Sequence, residues 1–140
     1  MNESKHSLII DDDLDDQEIF LMCVKKISAD ISCRTANNGE EAIIMLESQK
    51  EYVPDYIFLD VNMPKMNGIE CLKILKKMER LKETKIFMYS TTAESSVVKQ
   101  IKALGAEDFI IKPVETIVLR EKLAKIFGIT WVTNGQVNKS

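Results

Sequence analysis

A few residues spread along the 140-residue chain are of types that do chemistry once they are brought together. They are Asp11 and Asp12 in LIIDDDLDD, Asp60 after Tyr56-Ile57-Phe58-Leu59, Ser90 after an apolar run, and Lys112 after Ile110-Ile111. Two carboxylates about 4 Å apart repel by roughly 4 kcal/mol at an effective dielectric near 20. Three in one place are untenable unless they are protonated or neutralised. The single ammonium of Lys112 does not balance three negative charges, and a hard divalent cation would supply the rest. Magnesium takes one or two carboxylates, keeps several waters and leaves room for phosphate oxygens. A carboxylate beside such an ion can act as a nucleophile toward phosphorus and form an aspartyl phosphate. Lys112 and Ser90 would then bind the oxygens of the transferring group. Asp60, at the end of a central apolar run, is the best nucleophile, and Asp11 and Asp12 form the metal pair.

The elements that must position these groups follow from two alternating periods. Short apolar runs at Ser7–Ile10, Ile31–Ala36, Tyr56–Leu59, Lys85–Tyr89 and Asp108–Ile111 read as strands. The second alternates polar and apolar residues, as a more exposed strand does. The others are continuous, as in strands buried on both faces. Between and after them lie helical stripes: Ile19, Cys23 and Ile27 with Phe20 and Val24; Ala42, Ile43 and Leu46; Ile69, Leu72, Leu75 and Met78; Val97, Val98, Ile101 and Leu104; Leu119, Leu123, Ile126 and Phe127. Gly105 and Gly128 follow the last two stripes, where left-handed C-terminal caps are expected. Strict strand–helix alternation predicts an α/β fold, a doubly wound five-stranded parallel sheet of the flavodoxin-like (βα)5 kind with strand order 2-1-3-4-5. In such a sheet every strand ends on one edge, so Asp11, Asp12, Asp60, Ser90 and Lys112 converge there. The domain is expected over residues 5–127. Residues 128–140 are read as a C-terminal extension that either docks through Trp131 or frays.

Blander readings exist for several of these residues. Asp13, Asp15 and Asp16 suit helix capping or a solvated first turn, and Asn37-Asn38-Gly39 looks like a turn and cap. Taken alone, Ser90-Thr91-Thr92 reads as the cap of the fourth helix. Asp60 resists such a reading, because it lies too far ahead of the third stripe to cap it. His6, before the first strand, is an ordinary terminal residue. The net charge of −3 gives no footprint for nucleic acid, and no apolar run is long enough to span a membrane. The polar start MNESKHS lacks a secretory core. Cys23, Cys33 and Cys71 fit neither a disulfide framework nor a zinc template, which predicts reduced thiols and a cytoplasmic location.

LIIDDD, FLDVNMPKMNG, the serine after the fourth apolar run and IIKP together resemble the receiver domain of two-component response regulators, over roughly Lys5 to Phe127. The resemblance implies that Asp60 is the phospho-accepting aspartate. It implies that Asp11, Asp12 and Asp60 hold Mg2+, with the backbone carbonyl of Asn62 as a further ligand. Lys112 would contact the phosphoryl oxygens, and its bond to Pro113 is cis in the family. Ser90 and Phe109 match the switch hydroxyl and switch aromatic, while Pro64 and Gly68 shape the loop after Asp60. Asn62 and Thr92 fall at the two positions that tune phosphoryl lifetime, and neither is charged. The phosphoryl donor would be a sensor histidine kinase or a phosphotransfer protein, and a downstream protein would read the changed surface.

The expectation is thus a stand-alone response regulator rather than an enzyme with an external substrate, catalysing only its own Mg2+-dependent phosphorylation and dephosphorylation. The face built from the fourth helix, fifth strand and fifth helix permits a homodimer. A haloacid-dehalogenase-type phosphatase would need a second Asp two residues after the nucleophile, where this chain has Asn62. The alternative is a phosphorylation-independent interaction module that keeps the fold. Such modules usually lose an acidic residue or the lysine, and here all are present.

Overall fold

Alternation along each central strand sends one set of side chains to each face of a five-stranded parallel sheet, and helices cover both faces. The computed structural model describes residues 5–133 and 136–138, with side chains through residue 130. The order of elements is β1 (Lys5–Ile10), α1 (Leu14–Ile27), β2 (Ile31–Ala36), α2 (Gly39–Ser48), β3 (Tyr56–Leu59), α3 (Gly68–Lys76), a 3-10 turn (Glu79–Leu81), β4 (Lys85–Ser90), α4 (Ser95–Ala103), β5 (Asp108–Ile111) and α5 (Thr116–Phe127). The strand order is β2-β1-β3-β4-β5, as the alternation predicts. The strands finish level with one another: Ile10 lies beside Ala36 and Leu59, Leu59 beside Met88, and Ser90 beside Ile111.

Leu8, Ile10, Ile57, Leu59, Ile86 and Met88 meet residues of α2, α3 and α4 on one face. Ile9, Phe58, Phe87, Tyr89 and Ile110 meet α1 and α5 on the other. Helix starts are capped as polar residues before apolar stripes dictate. Asp13 accepts from the backbone N–H groups of Asp15 and Asp16, Asn38 from that of Glu41, and Asn67 forms a capping box with Glu70. Gly105 (φ 101°) and Gly128 (φ 70°) are both left-handed, as expected after α4 and α5.

Ser90 ends β4, as its place at the close of the fourth apolar run predicts, and the blander cap reading falls, since α4 starts behind Glu94 without a side-chain cap. Two expectations need correction. Of the fourth stripe only Ile101 is fully buried. The Lys112–Pro113 bond is trans, since no described peptide bond is cis; the tertiary amide before proline itself prefers trans by about 0.5–1 kcal/mol. Beyond α5, β6 (Trp131–Thr133) and β7 (Gln136–Asn138) pair antiparallel. The suggested docking of Trp131 concerns a side chain outside the described residues.

Candidate functional site

The chemical residues are held by the sheet's own ladder. Asp11 N–H donates to Ala36 O (3.1 Å), Asp60 N–H to Ile10 O (3.0 Å) and Lys112 N–H to Ser90 O (2.8 Å). Each is the first residue past a strand, still bonded to the neighbouring strand, so its side chain leaves the sheet edge at a fixed place. Asp11, Asp60 and Ser90 are buried, while Asp12 is exposed. Carboxylate oxygens of Asp11, Asp12 and Asp60 lie within 4.8 Å of one another.

Lys112 Nζ stands 2.7 Å from Asp11 Oδ2, 2.8 Å from Asp16 Oδ2 and 3.6 Å from Asp60 Oδ2. Asp60 Oδ1 accepts from the Asn62 N–H at 3.2 Å, and Asn62 Nδ2 donates to Ser90 Oγ at 3.4 Å. Asp11 Oδ1 accepts from the Asp13 N–H. The loop after Asp60 is shaped by a close approach. A Cβ on Gly68 would stand 2.2 Å from the Asp60 carbonyl oxygen, so only glycine fits, and Gly68 N–H donates to Val61 O. Within that loop Lys65 takes a left-handed φ of 67°, and the Met66 N–H donates to Pro64 O.

The Asp60 carboxyl is raised from 3.8 to about 7, chiefly by burial, with Lys112 pulling it down and Asp11 pushing it up. Burial pulls Lys112 down, but the carboxylates of Asp11 and Asp16 more than reverse this and hold its ammonium raised. A divalent cation fits this donor set. Three carboxylates face one another, and the buried Asp11 Oδ2 makes no directed hydrogen bond despite its nearness to the ammonium. It is a hard oxygen with an unused lone pair.

Phe109, on β5, is half-buried and packs against the α2–α3–α4 side of the core. Thr92 is exposed and lines a cavity of about 290 Å3 with Val61, Asn62, Asn67, Ile69, Glu94 and Val97. His6 sits at the other end of β1, its Nδ1 at 2.8 Å from Ser32 Oγ. Cys23, Cys33 and Cys71 are unpaired, and burial raises the thiol pKa of all three.

Three contacts of the site were not read from the sequence. Asp16, expected to be solvated, bonds Lys112. Gln17 is buried and donates from Nε2 to Asp11 O (2.6 Å) and Asn37 Oδ1 (2.9 Å). Tyr89 presents its ring 5.2 Å from Lys112 Nζ. A signal for Asp16 existed: it lies four residues before Phe20 and seven before Cys23, on the buried stripe of α1.

Comparison with known proteins agrees with the fold. The sequence model of the response regulator receiver domain matches residues 8–124, and the chain belongs to that family. The chain is 32% identical over 122 residues to the chemotaxis protein CheY of Thermotoga maritima, covering 87% of this chain and 97% of that protein. It is 34% identical over 121 residues to the probable C4-dicarboxylate response regulator DctR of Bacillus subtilis, covering 84% of this chain and 50% of that protein. It thus spans about half the length of some curated relatives and nearly all of others. A Borrelia burgdorferi CheY solved in a CheX-CheY-BeF3-Mg2+ complex superposes with a TM-score of 0.74 at 28% identity, covering 88% of this chain and 89% of that one. Receiver domains bind Mg2+ at an acidic pocket and interact with histidine kinases, phosphotransfer proteins and downstream targets. No helix among the described residues is long and apolar enough to cross a membrane.

Proposed function

We propose that this receiver accepts a phosphoryl group on Asp60 from a histidine kinase or phosphotransfer protein and signals by changing a protein-binding surface. The observation that carries the reading is the convergence of Asp60 with Asp11, Asp12 and Lys112 at one sheet edge. A carboxylate oxygen of Asp60 attacks phosphorus as the P–N bond to the donor histidine breaks; the electron pair leaves with the imidazole nitrogen, which takes up a proton. Asp11, Asp12, Asp60 and the Asn62 carbonyl are the residues to hold Mg2+, which supplies charge neutralisation for the transferring group. Lys112 binds phosphoryl oxygens on the other side. Ser90 moves toward them, leaving space into which Phe109 turns, and α4 with β5 presents a changed face to the target. Asn62 and Thr92, both uncharged, neither repel nor pin an attacking water as strongly as a charged side chain.

A protein donor is supported by exposed apolar residues next to the cluster, Leu14 at the start of α1 and Val114 just past Lys112. Three unpaired cysteines suit a reducing, cytoplasmic setting. The test is intact mass after incubation with acetyl phosphate, with and without Mg2+, on wild type and Asp60→Asn. One labile phosphoryl adduct that requires both Mg2+ and Asp60 is expected. A folded wild type that forms none, even with a cognate kinase, is a phosphorylation-independent interaction module instead.

A further inference from the structure

The resting position of Lys112 is asymmetric, close to Asp11 and Asp16 and farther from Asp60. The ammonium donates a hydrogen bond to Asp16 Oδ2 at 2.8 Å and lies 2.7 Å from Asp11 Oδ2, but stands 3.6 Å from Asp60 Oδ2. The Tyr89 ring, 5.2 Å away, adds a second attraction of the cation–π kind. Asp16 is carried by a well-fixed turn. Its N–H donates to the capping carboxylate of Asp13, and its neighbour Gln17, buried, ties the turn to Asp11 O and Asn37 Oδ1. Asp16 is not one of the three carboxylates grouped for a cation, so its partner is the lysine.

We infer that Asp16 is a positioning residue that restrains Lys112 in the resting protein, and that loading of Asp60 requires the ammonium to give up its bond to Asp16. The inference rests on Asp60 being the phospho-acceptor. An interaction made in the ground state and lost as the phosphoryl group arrives raises the barrier to transfer. Charge-assisted hydrogen bonds are the strong ones, and this one is partly shielded from water, with 9% of the Lys112 side chain and 28% of that of Asp16 exposed.

The experiment has two readouts on wild type, Asp16→Asn and Asp16→Ala. The first is the rate of adduct formation with acetyl phosphate and Mg2+. Both variants are expected to load about fivefold faster than wild type. The second needs no transfer: the 15N resonance of the Lys112 ammonium, recorded in the resting protein and with Mg2+ and beryllofluoride as the phosphoryl mimic. The substitutions should shift that resonance in the resting protein and leave it unmoved in the loaded one, where the contact has already been released. If wild type forms no adduct, the acceptor reading fails and takes this inference with it. If wild type loads but the variants load at the same rate or more slowly, the restraint alone is overturned. An equal shift of the resonance in both states overturns it too, because the bond would then survive loading.

Discussion

The two faces of the sheet are built from different materials. On the α1–α5 face the packing is aromatic: Phe58 touches Phe20, Phe87 and Phe127 at ring separations of 4.8, 5.5 and 6.0 Å. Helix α1 is anchored there by Phe20, Cys23, Val24 and Ile27. On the opposite face the core is aliphatic, and α4 is held by Ile101 as its one fully buried residue, with Val97, Leu104 and Phe109 only partly covered. Lys112, Asp16 and Tyr89 stand over the aromatic face. Alternation along β4 turns Ser90 toward the aliphatic one. The contrast separates two tasks: the backbone that carries the charged groups sits on rigid packing, and Ser90 and Phe109, proposed to rearrange as a switch, sit on the side of the helix with the weakest anchorage.

The largest expected effect probes the rigid side. Phe20→Ala removes a fully buried ring from the middle of the aromatic cluster and should cost about 3–5 kcal/mol, a large share of the stability of a domain this size. Ile101→Val, on the sole deep anchor of α4, should cost about 0.5–1.5 kcal/mol. Urea unfolding of both variants measures the two values. Equal costs would mean that α4 is as firmly built in as α1.

Next comes the charge that this edge carries. The Asp60 carboxyl is raised from 3.8 to about 7, so between those values the folded protein keeps a proton that the unfolded chain has released. The stability tied to that proton is complete below pH 3.8 and is lost as pH rises through 7. Asp60→Asn cannot ionise. It should therefore be close to wild type in stability near pH 4 and more stable by about 2–4 kcal/mol above pH 7.5 in metal-free buffer. Added Mg2+ should narrow the gap by stabilising the ionised wild type. A gap that is independent of pH would show that packing, not ionisation, sets the difference.

Much of this was legible in the sequence because two periodicities carry it. The bounds of β2, β3 and β5 are those of the apolar runs, and β1 and β4 differ only by polar end residues, Lys5, His6 and Ser90, whose place is set by pairing with neighbours. The convergence of Asp11, Asp60, Ser90 and Lys112 followed from strand ends alone. What escaped had a weaker local signature. Cys71 is fully buried on α3 but is adjacent to the stripe that was read. The pairing of β6 with β7 is signalled by Asn134-Gly135, the dipeptide that two-residue hairpin turns favour, inside a polar tail. Asp16 was hidden by its neighbours: in a run of aspartates a capping role suits each, and only the helical phase set by Phe20 and Cys23 singles it out. The trans bond at Pro113 departs from the family expectation, and nothing in the residues around it signals the isomer.

The smallest expected effect tests the mobile side directly. Backbone amides in the middle of α4 depend on packing that buries one side chain fully, whereas those of α1 are backed by the aromatic cluster. Hydrogen exchange in the unphosphorylated protein should show α4 opening at a free energy about 1–2 kcal/mol below that of α1, roughly a tenfold difference in protection. The magnitude matters for signalling as well as for stability. A helix whose local opening costs little can be redirected by a bias of about 1 kcal/mol, which already shifts a two-state population about fivefold. Phosphorylation at Asp60 should change protection in α4 and β5 while leaving the interior of α1 unaltered. The reverse pattern, α1 responding and α4 silent, would place the output on the aromatic face and reassign the two tasks that the packing separates.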